Sequence, residues 1–297
     1  MPLILPPSPQ AILPGSPLDW SHPLAQRLAA WWLVVPGQDG GIILRDLTGQ
    51  NHGTLTGMAA PPTSTSGWNR TIRQGGDGAL ACDGTNDFVD CGNGSSLDGS
   101  ADLLTISAWV NPSSFAYDTV ISNYNSAGDL EQYGVYVAST AHATFEWDGP
   151  GTIAPVWATP DNSLTAGVWA HLVCVRTGHL ASGDVTIFIN GVSQTLTLTG
   201  SLGEIPAQVD VGNTAMGRAG SFNGLYYSGS LDDVRIYHRA LSATEAQQLY
   251  INSRQSYPDL LNRVRQRRFI TLWPPACQQP AVSPLLRVRQ HVPMGSS

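Results

Sequence analysis

The sequence predicts an all-β protein, a sandwich or a barrel. Three observations carry this. Gly (31) and Pro (21) are abundant while charged residues make up only 12% of the 297 residues, which suits short strands and tight turns. Between residues 77 and 253, runs rich in Val, Ile, Thr and aromatic residues recur at short intervals, separated by Gly, Asn and Asp. Asn190-Gly191 lies between two alternating runs, the signal of a tight hairpin.

Taken in order, residues 1–19 (MPLILPPSPQAILPGSPLD) are too rich in proline for a helix or a central strand and read as an apolar, extended arm. Trp31 and Trp32, in LAAWWLVV, mark a first strand. The turn-rich DLTGQNHG follows. ALACDGTNDFVDCG reads as two strands around a turn, and LLTISAWVN alternates Leu104, Ile106, Ala108 and Val110 against Thr105, Ser107 and Trp109. TVISNY, QYGVYV, ATFEW, WAHLVCVRT and VTIFINGV are further strands. One helix is expected, in ALSATEAQQLYINSR: Ser242 caps it, Glu245 completes a capping box, and Leu249 and Tyr250 supply its apolar side. The domain is therefore drawn as residues 20–253, with arms at 1–19 and 254–297.

Net charge is −7 but unevenly placed, and every basic residue is Arg. Residues 254–297 carry seven arginines and one acid, net +6; the rest carries eight arginines and 21 acids, net −13. Such an acidic body with a basic tail suggests a tail that docks on an acidic partner, with Arg263, Arg265, Arg267 and Arg268 as its densest cluster. A duplex nucleic acid would be repelled by the body, so a protein partner is expected. No apolar run spans a membrane, and the opening residues lack the basic start of a secretory signal. The four cysteines form no metal-binding spacing; Cys82 and Cys91 flank the expected 79–92 turn, where either a disulfide or buried thiols fit.

Five segments in order resemble laminin-G-like domains of the concanavalin A-like lectin/glucanase family: LAAWWLVV with LRDLTGQNHGTL, ALACDGTNDFVDCG, LLTISAWVNP, GVWAHLVCVRTG with VTIFINGV, and GSLDDVRIYHRALSATEAQQLY. The resemblance covers residues 28–253. It implies an antiparallel two-sheet jelly roll and, in many members, one structural Ca2+, here to be sought at Asp83, Asp87 and Asp233. His171 in WAHLVCV falls at a position that reads as structural. The hydrolases of this fold carry three acids on one strand; here only Glu146 and Asp148 stand in that spacing, followed by Gly-Pro-Gly, and read as solvated acids near a strand end. No enzyme is expected. A glycan platform is expected on exposed aromatics, with Tyr226, Tyr227 and Trp147 as its residues. The layout of sandwich and two arms also resembles, on weaker grounds, accessory proteins of tailed bacteriophage particles, which would place the chain in a virion, fastened to capsid or tail subunits by its arms.

Overall fold

The computed structural model describes residues 18–34, 41–69, 78–149, 153–207 and 212–253. Strands are numbered in chain order. One sheet of eight strands runs β14 (Val192–Ser193), β13 (Val185–Ile189), β12 (Ala170–Arg176), β7 (Leu104–Pro112), β17 (Ser228–Tyr237), β5 (Ala79–Asp83) and β4 (Gly67–Asn69). Its eighth strand, β1 (Leu28–Trp32), pairs with the second half of β17, while β5 pairs with the first half. The other sheet, of nine strands, runs β15 (Thr197–Thr199), β11 (Val156–Ala158), β10 (His142–Asp148), β9 (Leu130–Ala138), β8 (Tyr117–Asn125), β16 (Thr214–Met216), β6 (Phe88–Gly92), β3 (Gly53–Thr56) and β2 (Ile43–Leu44). Both are antiparallel and face each other as a sandwich, as expected from the sequence.

The period of two on each strand decides what enters the core. Leu104, Ile106, Ala108 and Val110 of β7 meet Tyr133, Val135 and Val137 of β9 and Phe145 and Trp147 of β10 between the sheets. Trp109 points the other way, donates from Nε1 to Ser253 Oγ (2.8 Å) and packs beside His171 (5.1 Å) and Tyr250 (5.8 Å). This confirms a structural place for His171. A second apolar cluster lies on the outer face of the eight-stranded sheet, where α1 (Ala243–Ser253) lays Ala246 and Leu249 against Val173, Val175, Phe188 and Tyr237. The helix starts at the expected capping box: Ser242 N donates to Glu245 Oε2 (2.9 Å) and Glu245 N to Ser242 Oγ (3.3 Å). The outer face of this sheet is thus covered. The Asn190-Gly191 hairpin is also as expected, both residues having positive φ (52° and 77°) between the paired Ile189 and Val192.

The reading of residues 79–92 as adjacent strands needs correction. β5 and β6 belong to opposite sheets, so the chain crosses the sandwich at Gly84–Asp87. Cys82, Cys91 and Cys174 are free, buried thiols. Leu18, assigned to the arm, is buried in the second cluster. Residues 1–17, Cys277 and the four tail arginines Arg263, Arg265, Arg267 and Arg268 lie outside the described residues.

Candidate glycan-binding face

The opposite outer face, that of the nine-stranded sheet, carries the polar residues. Cross-strand partners share a face, so the register sorts them into rows. One row is Thr119, Tyr136, Thr144 and Ala158. The next is Asp90, Ala215, Ser122, Gly134, Glu146 and Val156. The third is Tyr124, Glu131 and Asp148. The middle row is a trough in side-chain size, with the small, buried residues Ala215, Ser122 and Gly134 between rows that carry aromatic and acidic side chains.

Glu131 reaches this face through a bulge. Between the pairs Gly134–Glu146 and Glu131–Asp148, β9 has two residues where β10 has only Trp147. The extra residue resets the alternation, so Glu131 emerges beside Glu146 and not in the core with Tyr133. Gln132 anchors the bulge, accepting from Gly99 N (2.9 Å) and donating to Asp98 Oδ1 and Pro206 O (3.0 Å each).

The two glutamates are nearly buried, 3% and 8% exposed. Tyr136 OH donates to Glu131 Oε1 (2.6 Å) and Tyr117 OH to Glu146 Oε2 (2.7 Å). The two tyrosine rings stack, with centroids 5.0 Å apart and planes 21° from parallel. Gly134 is required because the Glu131 carboxylate and Tyr136 ring fold over it: an added Cβ would clash with both. Tyr117 is held at φ 128°, a costly conformation for a side-chain-bearing residue, and its stacking and hydrogen bond hold it there. Burial raises both acids: Glu146 to about 7, and Glu131 well above the usual carboxylate range, with Glu146 adding repulsion.

The acids of the Glu146-Trp147-Asp148 run are therefore not both solvated, as the sequence suggested. Glu146 is buried, and the third carboxylate comes from the neighbouring strand. Glu131, Tyr117 and Tyr136 were missing from the expected platform. Trp147 and Tyr227, which were expected in it, are both fully buried in the core. Trp147 stacks on Trp157 (4.6 Å) and lies 5.3 Å from the Arg176 guanidinium. Tyr226 is half-buried on the loop after β16, its OH donating to Asn223 Oδ1 (2.5 Å) and its ring 6.5 Å from that of Phe88. That loop also exposes Phe222, which packs edge-on against Tyr124 (6.2 Å) at the end of the trough.

The three acids expected around calcium do not fit one ion. Asp83 Oδ1 accepts from Thr85 N (2.8 Å) and Asn86 N (3.3 Å), closing a turn, and Asp87 Oδ2 accepts from Asp83 N (3.1 Å). Asp233 sits farther along β17 than Ser228, the partner of Asp83, by five residues or roughly 16 Å. Its carboxylate is engaged by Arg235 (2.8 and 3.0 Å) and by Trp31 Nε1 (2.7 Å). Among the described residues no three His, Cys, Asp or Glu side chains form a metal-holding group.

A family model, described as the concanavalin A-like lectin/glucanases superfamily, matches residues 83–247, more than half of the chain. The chain belongs to this superfamily. Solved structures are similar to the chain at low identity. The binding domain of Paraclostridial Mosquitocidal Protein 1 is 17% identical with a TM-score of 0.51, the match covering 75% of this chain and 52% of that one. Domain 4 of an extracellular arabinanase from Geobacillus stearothermophilus, solved with arabinotriose, is 19% identical, TM-score 0.48, with 75% and 98% covered. A Trypanosoma rangeli sialidase, solved with sialic acid, is 14% identical, TM-score 0.49, with 75% and 32% covered, so this superfamily member spans about a third of that enzyme. No curated protein matches the sequence. Among the described residues no helix is long and apolar enough to cross a membrane.

Proposed function

We propose that the protein is a non-catalytic carbohydrate-binding sandwich whose ligand lies along the trough of the nine-stranded sheet. One observation carries this reading: the Tyr117–Tyr136 stack stands over the buried Glu131 and Glu146 on the sheet face that α1 does not cover. Sugars combine apolar C–H faces, which pack on aromatic rings, with hydroxyls, which donate to carboxylates. Membership of a lectin and glucanase superfamily supports the same ligand class. A glycan array read with the wild-type chain and with Tyr117→Ala tests it, alongside a polysaccharide hydrolysis assay. Binding lost in the variant, without turnover, is expected. Turnover abolished by Glu146→Gln would make the pair catalytic; binding to no glycan would end the proposal.

The charge asymmetry supports a second, compatible role. In this reading the arms at 1–19 and 254–297 fasten the sandwich to protein subunits of a larger assembly such as a virus particle, with Arg263, Arg265, Arg267 and Arg268 meeting acidic partners. Limited proteolysis of the isolated chain should then strip both arms and leave residues 20–253. Arms that resist cleavage would pack on their own domain and count against this role.

A further inference from the structure

The charges around the trough narrow the ligand class. Glu131 and Glu146 have tyrosine hydroxyls as partners, and among the described residues no cationic side chain touches either. Asp90 lies at the far end of the middle row, Asp148 in the third row, and Asp129 accepts from Tyr124 OH (2.6 Å) at one end. Among the described residues two basic side chains near this face are already engaged. His142 Nδ1 is 3.3 Å from Asp161 Oδ1. Arg218 lies 3.6 Å over the Phe88 ring and donates to Gly220 O (2.8 Å).

A second observation is independent of charge. The Thr119 hydroxyl is fully buried on this face, level with Tyr136, and has no hydrogen-bond partner. Ser122 and Thr144 put two more buried hydroxyls in the same rows. Buried hydroxyls of native proteins are normally satisfied, so an orphan beside an acidic pair marks a place for a polar ligand.

Resting on the carbohydrate-binding reading above, we infer that this face selects oligosaccharides bearing primary ammonium groups and rejects those bearing carboxylates. The ammonium would sit between Glu131 and Glu146 and take the place of the protons that burial keeps on these acids, those protons leaving to solvent, while the Thr119 hydroxyl meets a sugar hydroxyl. An anionic sugar in the same place would bring a negative charge into a desolvated site where burial already keeps protons on both acids.

Titration calorimetry on the full chain at pH 6, with glucosamine, N-acetylglucosamine and galacturonic acid oligomers of equal length, tests this. The glucosamine oligomer should bind at least tenfold more tightly than its acetylated counterpart, and the uronate should not bind. The isosteric double variant Glu131→Gln/Glu146→Gln, verified as folded by its thermal transition, should lose that preference. Uronate binding as tight as glucosamine binding, or a preference unchanged in the double variant, would overturn the inference. Neutral oligomers bound best, and lost in Tyr117→Ala, would overturn it while leaving the carbohydrate-binding reading intact. No oligosaccharide bound would defeat both.

Discussion

Glu146 shows how one residue ties the face to the stability of the fold. Its carboxyl is raised by burial to about 7, so between its ordinary range and about 7 the folded state holds a proton that the unfolded state has released. Stability from this group therefore falls as pH rises through roughly 4.5 to 7. The difference is on the order of 3 kcal/mol at most. Glu131, raised for the same reason, acts in the same direction. Thermal melts from pH 4.5 to 8 should show Glu146→Gln gaining on the wild type as pH rises. Parallel pH profiles for the two would show the carboxyl to be solvated. Sequence reasoning found Glu146 but read its surroundings wrongly, because the acid it interacts with comes from β9. Strict alternation from Tyr133 and Val135 places Glu131 in the core, and only the bulge at Gln132 returns it to the outer face. Tyr226 and Tyr227 cannot both serve an exposed platform, because adjacent residues on an extended chain point to opposite sides, and Tyr227 goes inward.

At the scale of the element, β17 explains why Asp233 is structural. This strand changes partner from β5 to β1 half-way along, with its irregularity at Asp232–Arg235 and Asp233 at φ 53°. The aspartates at the switch serve the incoming strand: Asp232 Oδ1 accepts from Val34 N (3.0 Å) and Asp233 from Trp31 Nε1. Arg235 closes the arrangement, its guanidinium 4.1 Å over the Trp31 ring. Asp233→Ala would leave a buried arginine without its carboxylate, and equilibrium unfolding should record a loss of about 3–5 kcal/mol. A change below about 1 kcal/mol would show the pair to be dispensable. The motif LDDVRIY was legible as a last strand with special acids. Their task was not, because the partner Trp31 lies 202 residues away in the chain.

At the scale of the whole molecule, the two outer faces divide the work. The eight-stranded sheet is covered by α1 and the segment around Leu18 and Leu24, while the nine-stranded sheet presents tyrosines, hydroxyls and acids. The sandwich, its helix and its hairpin could be read from period-two runs, a capping box and Asn190-Gly191, which act over a few residues. The face could not, since it is assembled from residues on six strands and depends on register. The most direct test is hydrogen exchange with mass spectrometry on the full chain, with and without the tightest oligosaccharide from the array. New protection confined to residues 117–125, 130–138 and 142–148 is the predicted result. Protection elsewhere, around residues 218–227 alone or on the α1 side, would contradict the placement of the ligand on the nine-stranded sheet.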